Sequence, residues 1–269
     1  MSEDVSETTP TGVMVVGAQG RMGLEIREAL ELEPSLRFAG ALERPAHEEI
    51  GKILPGDVRL ESDPKKALEG CGVAIDFSIP ASTLTNLRAA ADAGVAYVTG
   101  TTGIDEAGQR EIAHFAERIP VIHAPNFSVA VHVLGHLARE AARLLGDGYD
   151  AEIFELHHGQ KRDAPSGTAL FLGDAVATGQ ERALRDHVVL ERSGDTGPRP
   201  ANAIGIQALR GGDNPGEHTI YFLGRGERLE LTHRAATRTH FATGAVRAAA
   251  WIVGREPGLY RIEQVLGLD

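Results

Sequence analysis

Short apolar runs alternate with amphipathic stretches over the first half of the chain. Runs rich in β-branched residues, each closed by a polar or glycine turn, predict strands at 13–17, 36–42, 73–78, 96–99 and 120–124. Helical spacing of apolar residues predicts helices at 21–32, 64–69, 81–93, 105–118 and 129–145. Repeated strand–helix units predict a doubly wound parallel sheet with helices on both faces.

The pattern changes after the Gly-Asp-Gly turn at 146–148. Residues 151–157 alternate between apolar and polar, residues 166–179 are helical, and a last Ala-rich helix is predicted at 239–254. Further strands are predicted at 187–191, 203–210, 218–223 and 227–233, with a loop over 191–201. Strands without long helices between them indicate mixed or antiparallel pairing, so we expect a second, α+β domain with a mixed sheet.

Composition narrows the range of partners. The net charge of −11 argues against general nucleic-acid binding and against adhesion to anionic membranes. Cys71 is the one cysteine, so no internal disulfide forms and a reducing compartment fits. The acidic start of the chain lacks a signal-peptide pattern, and no apolar run approaches the ~20 residues of a membrane span. We expect a cytoplasmic protein with no nucleic-acid or membrane partner.

A glycine triplet, Gly17, Gly20 and Gly23, follows the first predicted strand and opens the first predicted helix. Its spacing is GxxGxxG rather than GxGxxG, but the strand–turn–helix context is that of a dinucleotide site, in which backbone approaches a pyrophosphate at a helix N-terminus. Glu43 ends the second strand and is placed to accept hydrogen bonds from the ribose diol of NAD, while Arg44 could pair with the 2′-phosphate of NADP. The alternative is a tight turn that binds nothing. The combined pattern predicts a Rossmann-like domain.

Three other predicted strands end in small and hydroxyl-bearing residues, at 76–78, 99–103 and 124–128. Ligands of such sheets bind beyond the carboxyl ends of the strands, so these turns are expected to continue the cofactor cleft. Each taken singly also fits an ordinary loop.

Residues 155–169, ELHHGQKRDAPSGTA, carry two histidines and two cations ahead of a Pro-Ser-Gly-Thr turn that leads into a helix. Cations beside a helix start make an anion site, and a histidine, with an ordinary pKa of ~6.5, can hold or release a proton there. This chemistry suits a small carboxylate that must be protonated. The turn also has a simpler interpretation as a helix cap, and both can hold.

Individual side chains of this stretch leave alternatives open. His157 and His158 are adjacent, so along a strand they face opposite sides, unless a turn at Gly159 rotates His158 toward the ligand. Arg162 is expected to be solvated. Glu155 is expected to orient a neighbouring group or to face the sheet, without a catalytic role. Structural or supporting roles are expected for His218, His233 and Arg234. No metal-ligand spacing and no GxSxG elbow occur, so neither a metal site nor a serine hydrolase is expected.

Taken together, these motifs resemble those of the dihydrodipicolinate reductase family, also called 4-hydroxy-tetrahydrodipicolinate reductases. The resemblance runs in register from about residue 12 to 268, and it rests on the segments 17–23, 100–103, 124–128, 155–169, 216–219 and 233–235. It implies an oxidoreductase that uses NADH, NADPH or both to reduce 4-hydroxy-tetrahydrodipicolinate to tetrahydrodipicolinate in lysine and diaminopimelate biosynthesis.

The resemblance also implies roles for individual residues. His157 would be the catalytic acid/base and Lys161 a proton donor. The dicarboxylate substrate would contact His158, Lys161, Ser166, Gly167 and Thr168. The cofactor would be lined by Gly17, Ala18, Gln19, Gly20, Arg21, Met22, Glu43, Arg44, Gly100, Thr101, Thr102, Ala124, Pro125, Asn126 and Phe127.

Domain boundaries follow from the pattern and the resemblance together. We expect a disordered lead-in at 1–11, a dinucleotide-binding domain at 12–128, a substrate-binding and oligomerisation domain at 129–238, and a C-terminal helix at 239–269 that returns to the first domain. The resemblance implies a homotetramer assembled through the second domain's sheet. Two other functions remain open: a related NAD(P)-linked dehydrogenase acting on another small acid, and a nucleotide sensor without catalysis.

Overall fold

The computed structural model describes residues 9–268. The chain divides into two units: one comprises residues 9–127 together with Thr239–Gly267, and the other comprises Ser128–Arg238. Most of the predicted lead-in, residues 1–8, lies outside the described residues, while Thr11 begins the first strand. No helix within residues 9–268 combines the length and the apolar character that a membrane crossing requires.

Thirteen strands are present in the described residues: β1 (Thr11–Val16), β2 (Leu36–Leu42), β3 (Ile53–Leu54), β4 (Val58–Glu61), β5 (Val73–Asp76), β6 (Ala96–Thr99), β7 (Pro120–His123), β8 (Asp150–His157), β9 (Val188–Val189), β10 (Ile204–Arg210), β11 (Glu217–Leu223), β12 (Arg228–Arg234) and β13 (Gly258–Tyr260). The α-helices described are α1 (Arg21–Leu30), α2 (Pro64–Ala67), α3 (Pro80–Ala93), α4 (Glu106–Ala116), α5 (Val129–Leu145), α6 (Gly167–Gly179), α7 (Thr239–Ile252) and α8 (Ile262–Leu266). Each predicted strand and helix forms, with small changes at the ends. The strands β3, β4 and β13 and the helix α8 were not predicted.

The sheet of the first unit has the order β13-β7-β6-β5-β1-β2-β4-β3, and its strands are parallel except for the β3–β4 hairpin. Alternate residues of β1 point to opposite faces: Val13 and Val15 join one apolar cluster with α1, α7 and α8, while Met14 and Val16 join another with α2, α3 and α4. The doubly wound, Rossmann-like fold is therefore confirmed. Because β1, β2, β5, β6 and β7 are parallel, the turns that follow them lie at one edge of the sheet.

The sheet of the second unit has the order β12-β11-β8-β10-β9. Strand β10 is parallel to β8 and β9, whereas β11 is antiparallel to β8 and β12, so the predicted mixed sheet is also confirmed. Helices α5 and α6 cover one face, where Leu134 and Leu172 pack against Ile153, Ile206 and Ile220. The register of β8 with β10 places Arg210 beside His157 at the carboxyl ends of both strands.

Candidate active site

The glycine turn leaves backbone exposed at the start of α1. Gly17 has a φ of +68°, and a Cβ at this position would meet no heavy atom within 4 Å. Gly20 donates its N–H to the Gly17 carbonyl at 2.9 Å and then precedes the helix. No side-chain hydrogen bond caps α1 and no acidic residue stands in its first turn, so an anion at this end would meet the first N–H groups of the helix and the positive end of its dipole. These features fit a pyrophosphate.

Gly23 has a different purpose in the same turn. A Cβ on Gly23 would lie 2.1 Å from the carbonyl oxygen of Gly17, so the helix packs directly on the turn. The third glycine of the triplet therefore permits close packing between helix and strand.

The acidic residue at the end of β2 lies beside the glycine turn. Glu43 accepts the backbone N–H of Gln19 at 3.1 Å through Oε1 and that of Arg44 at 3.3 Å through Oε2. The Gln19 side chain is itself held by Glu49 and by Arg27. Although Gln19 and Glu43 are far apart in sequence, the fold brings them together, and both lie where the ribose next to a turn-bound pyrophosphate is expected.

The turns after β5, β6 and β7 pack on one another. A Cβ on Gly100 would lie 2.1 Å from a ring atom of Phe77, and the Phe77 ring packs on that of Phe127 with centroids 5.4 Å apart. Thr101 is buried; its hydroxyl lies 2.7 Å from that of Thr83, and its carbonyl accepts a hydrogen bond from Nε2 of His123 at 3.1 Å. Among the remaining predicted cofactor residues, Arg21, Thr102 and Pro125 are exposed, Met22 and Asn126 are half-buried, and Ala18 and Ala124 are buried.

In the second unit, Glu155 and His157 share one face of β8, two residues apart. Glu155 is fully buried and His157 is 7% exposed. An ionised carboxylate is only an acceptor, so Nδ1 of His157 donates to Oε2 of Glu155, at 2.5 Å. Arg210 donates to both carboxylate oxygens at 2.8 Å, and the N–H of Ser166 donates to Oε1 at 3.0 Å. Burial opposes ionisation of Glu155, but the hydrogen bonds from His157, Arg210 and Ser166 outweigh it and lower its pKa to about 2.

Two further histidines stand beside His157. The rings of His157 and His218 meet edge-on with centroids 5.1 Å apart, and the ring of His233 lies 6.1 Å from that of His218. Burial, followed by the charges of His157 and His233, lowers the pKa of His218 to about 3, so His218 is neutral near pH 7. Within the described part of the chain, Nδ1 of His218 is buried without a hydrogen-bond partner.

The other predicted substrate residues surround the start of α6. His158 lies one residue past β8, and its N–H donates to the carbonyl of Asn214 at 2.9 Å. Lys161 pairs with Asp163 at 2.9 Å and is mostly buried. Ser166 caps α6 through its hydroxyl, which accepts the Ala169 N–H at 3.1 Å. Gly167 is exposed with open space at its Cβ position, and Thr168 is half-buried.

Sequence reasoning assigned no role to Arg210 or Gly216 and left the partner of Glu155 undefined. A Cβ on Gly216 would lie 2.8 Å from Nε2 of His157, so this glycine keeps that nitrogen clear. The signal for Arg210 was its position at the end of a predicted strand, but its pairing with Glu155 depends on the parallel register of β8 with β10, which no local pattern reveals. Cys71 shows no sign of activation, since burial raises the pKa of its thiol to about 11.

Comparisons with known sequences match one protein family over almost the whole chain. Residues 11–127 match the family model for the N-terminus of dihydrodipicolinate reductase, and residues 130–266 match that for its C-terminus. The 4-hydroxy-tetrahydrodipicolinate reductase of Anaeromyxobacter dehalogenans is 48% identical over 265 residues, covering 96% of this chain and 98% of that protein. The enzyme of the same name from Thiobacillus denitrificans is 47% identical, with coverage of 95% and 98%.

Solved structures show the same fold. A dipicolinate-bound dihydrodipicolinate reductase from Paenisporosarcina sp. TG-14 superposes with a TM-score of 0.76 at 22% identity, covering 94% of this chain and 98% of that one. An enzyme of gentamicin A biosynthesis in complex with NAD superposes with a TM-score of 0.61 at 16% identity, covering 97% and 91%.

Proposed function

The chain belongs to the dihydrodipicolinate reductase family, and on that premise we propose which of its residues carry the reaction. It is an oxidoreductase that reduces 4-hydroxy-tetrahydrodipicolinate in lysine and diaminopimelate biosynthesis, with a nicotinamide dinucleotide as cofactor. The pyrophosphate would be held by the glycine turn at 17–23, and the ribose would be read by Glu43 and Arg44. The turns at 100–102 and 124–127 would complete the cofactor site.

The observation that carries the proposal is the buried pairing of His157 with Glu155 at the start of α6. Water must leave the hydroxyl-bearing carbon of the substrate to give the conjugated cyclic imine, and the dihydronicotinamide, when bound, would supply a hydride to one ring carbon of that imine. The adjacent carbon must gain a proton, and we assign its delivery to Nε2 of His157, with Lys161 as a further proton donor. His158, Lys161, Ser166 and the helix start at Gly167 and Thr168 would bind the substrate carboxylates, because cations and a helix N-terminus both favour anions.

The test is turnover by the purified chain. Substrate is generated freshly by the upstream synthase, and oxidation of NADH or NADPH is followed by the loss of dihydronicotinamide absorbance. We expect oxidation that depends on both the synthase and this chain. If the folded chain oxidises neither cofactor under these conditions, the assignment fails and the nucleotide-sensor alternative gains support.

Cofactor preference, assembly and location belong to the same proposal. The opposed effects of Glu43 and Arg44 favour use of both NADH and NADPH. The face of the second sheet opposite α5 and α6 carries Phe154, Leu156 and Tyr221 half-buried, and it is the surface we assign to homotetramer assembly. Light scattering coupled to size exclusion measures the assembly: a monomeric mass would contradict it. We also propose a cytoplasmic location.

A further inference from the structure

The carboxylate–guanidinium pair beside His157 has a more specific task than holding the sheet together. We propose that Glu155 and Arg210 are positioning residues for His157: Glu155 fixes the tautomer of the ring so that Nε2 exchanges the proton, and Arg210 balances the charge that Glu155 places beside it. The inference rests on the proposed role of His157 as the proton donor.

The tautomer follows from the hydrogen bonds of Glu155. Both oxygens of this fully buried carboxylate accept from Arg210 at 2.8 Å, and Oε1 also accepts the Ser166 N–H at 3.0 Å. The carboxylate is therefore held in one orientation, with Oε2 2.5 Å from Nδ1 of His157. Because the carboxylate offers no proton, the neutral ring must keep its hydrogen on Nδ1, which leaves Nε2 to titrate.

The space around Nε2 agrees with this assignment. Gly216 has a φ of +152°, and any side chain there would place a Cβ 2.8 Å from Nε2. The nitrogen that Glu155 leaves unbound is thus also the one whose surroundings are kept open by a glycine.

The charges around the ring come from several elements. Strand β8 contributes Glu155 and β10 contributes Arg210. Strands β11 and β12 contribute His218 and His233, and the loop before α6 contributes Lys161 paired with Asp163. His218 is neutral near pH 7, because its pKa is lowered to about 3 by burial and by the neighbouring rings.

The Glu155–Arg210 pair is therefore the charged couple hydrogen-bonded next to the ring. Removing Glu155 leaves a largely buried positive charge without its counter-ion, and removing Arg210 leaves a buried negative charge without its guanidinium partner. The two changes should then shift the ionisation of His157 in opposite directions, which a purely structural pair would not do.

Arg210 also makes hydrogen bonds that Glu155 lacks, so the two substitutions should differ in their effect on substrate binding. Its Nη2 donates to the carbonyl of Asp163 at 2.6 Å, and Nη1 donates to that of Leu209 at 2.6 Å. Arg210 thus also holds the loop that carries Lys161. We expect loss of Arg210 to weaken substrate binding as well as to shift the pH profile, whereas loss of Glu155 should act mainly on kcat.

The experiment compares wild type with Glu155→Gln, Arg210→Met and the double variant. Ring nitrogen and carbon resonances of His157, assigned with His157→Gln, report its tautomer and titration midpoint in the free protein, and the pH profile of kcat reports the catalytic limb. In wild type the neutral ring should carry its proton on Nδ1. The midpoint and the alkaline limb should move down by about 1–3 pH units in Glu155→Gln and up by a similar amount in Arg210→Met, with the double variant between them.

Glu152→Gln is the matched control. Glu152 lies on the opposite face of β8 and is also held by guanidinium groups, that of Arg192 at 2.8 and 2.9 Å and that of Arg199 at 2.8 Å, so its loss should leave the His157 titration in place. A neutral wild-type ring protonated on Nε2 overturns the proposal even if no variant folds. Unshifted midpoints in folded single variants overturn it as well. The resonances do not depend on turnover, so failure of the proposed reaction is a separate result.

Discussion

The glycine turn of the first unit and the Glu155–His157 site of the second, to which we assign the cofactor and the substrate, present different groups to a negatively charged ligand. At residues 17–23 the groups on offer are backbone N–H groups at the start of α1, with no side-chain cap. At residues 155–168 they are mainly side chains, among them His157, whose Nδ1 is held by the buried Glu155 carboxylate, beside the start of α6. The first site depends on shape and the second on ionisation. Substitutions that add volume should damage the first, and isosteric changes of charge should damage the second.

The largest effect on turnover is expected from a substitution that removes the proton-donating side chain of the second site. His157→Gln preserves most of the side-chain volume but cannot act as an acid, so kcat should fall on the order of 10²–10⁴-fold. Cofactor affinity, measured by fluorescence titration, should stay nearly constant because the cofactor is assigned to the first unit. Turnover close to wild type would remove His157 from the mechanism. It would also contradict the view that the second site depends on ionisation.

A smaller loss is expected at the cation of the same site. In the proposed substrate site, Lys161→Ala removes a charge-assisted contact to a substrate carboxylate, and a contact of this kind contributes roughly 1.5–3 kcal/mol. Binding of the inhibitor dipicolinate, measured by calorimetry, should weaken accordingly. Arg162→Ala is the matched control, since this neighbouring cation is exposed and was predicted to be solvated. Equal losses in the two variants would mean that general attraction, rather than a placed contact, binds the ligand.

Lowering the pH should destabilise the second unit through protonation of His218, a group that has no counterpart in the glycine turn. His218 is buried with a pKa lowered to about 3, against about 6.5 when unfolded, so the unfolded chain binds its proton first as pH falls. The stability that comes from keeping His218 neutral is complete above pH ~6.5 and declines by about 1.4 kcal/mol per unit below it. Urea unfolding at several pH values should show a shallower decline from pH 6 to 4 in His218→Gln. Parallel curves for the two proteins would contradict the lowered pKa.

Shape is tested at two glycines of one turn. Gly23→Ala would place a Cβ 2.1 Å from the Gly17 carbonyl oxygen, whereas Gly20→Ala would place one at 3.1 Å from the same atom. Overpacking of this kind costs about 1–3 kcal/mol, so Gly23→Ala should lower both stability and cofactor affinity, and Gly20→Ala should cost less stability. Thermal unfolding and cofactor titration measure the two effects. Equal stability losses would show that contact with Gly17 is not what selects glycine at position 23.

The smallest effect concerns the ribose. In the proposed cofactor site, Glu43 would favour the diol of NADH and repel a 2′-phosphate, while the adjacent Arg44 would do the reverse, so the wild-type preference should stay within about tenfold, or ~1.4 kcal/mol. Glu43→Ala should shift the ratio of kcat/KM values toward NADPH, and Arg44→Ala toward NADH. A thousandfold preference in wild type, or shifts of the wrong sign, would mean that other residues read the ribose.

Strands and helices were predicted best where the pattern of apolar and polar residues is long or continuously apolar. Long alternations and long amphipathic runs, such as β8 and α5, were predicted almost to the residue. The strand predicted at 73–78 stops at Asp76, because the Asp76 carboxylate accepts the N–H of Ser78 at 2.7 Å and turns the chain. The hairpin of β3 and β4 and the edge strand β13 are two to four residues long, and, unlike the equally short β5 and β6, whose residues are all buried, they form no continuous buried run that would mark them as strands.

The candidate sites divide in the same way. The glycine turn and the Glu155–His157 spacing can be seen locally, since residues two apart on a strand share a face. The partners that give these residues their properties come from elsewhere: Arg210 reaches Glu155 from β10, and Gly216 precedes β11. Such contacts depend on the register between strands that are distant in sequence, and local sequence patterns do not predict that register.

Because the first unit combines the start of the chain with residues 239–267, it can be completed only after the second unit has been synthesised. Helix α7 contributes Ala245 and Ile252 to the same core as Val13 and Ile26, and β13 adds an edge to β7. More than a hundred residues separate β7 from β13, which at ribosomal speed is a delay of roughly 10 s. During that time the emerging sheet has a bare edge at β7 and an uncovered apolar face, while the second unit, continuous in sequence, is completed before α7 and β13 have been made. A nascent chain stalled before residue 239 should therefore be a preferred client of chaperones, with the sheet of its first unit as the surface that they bind.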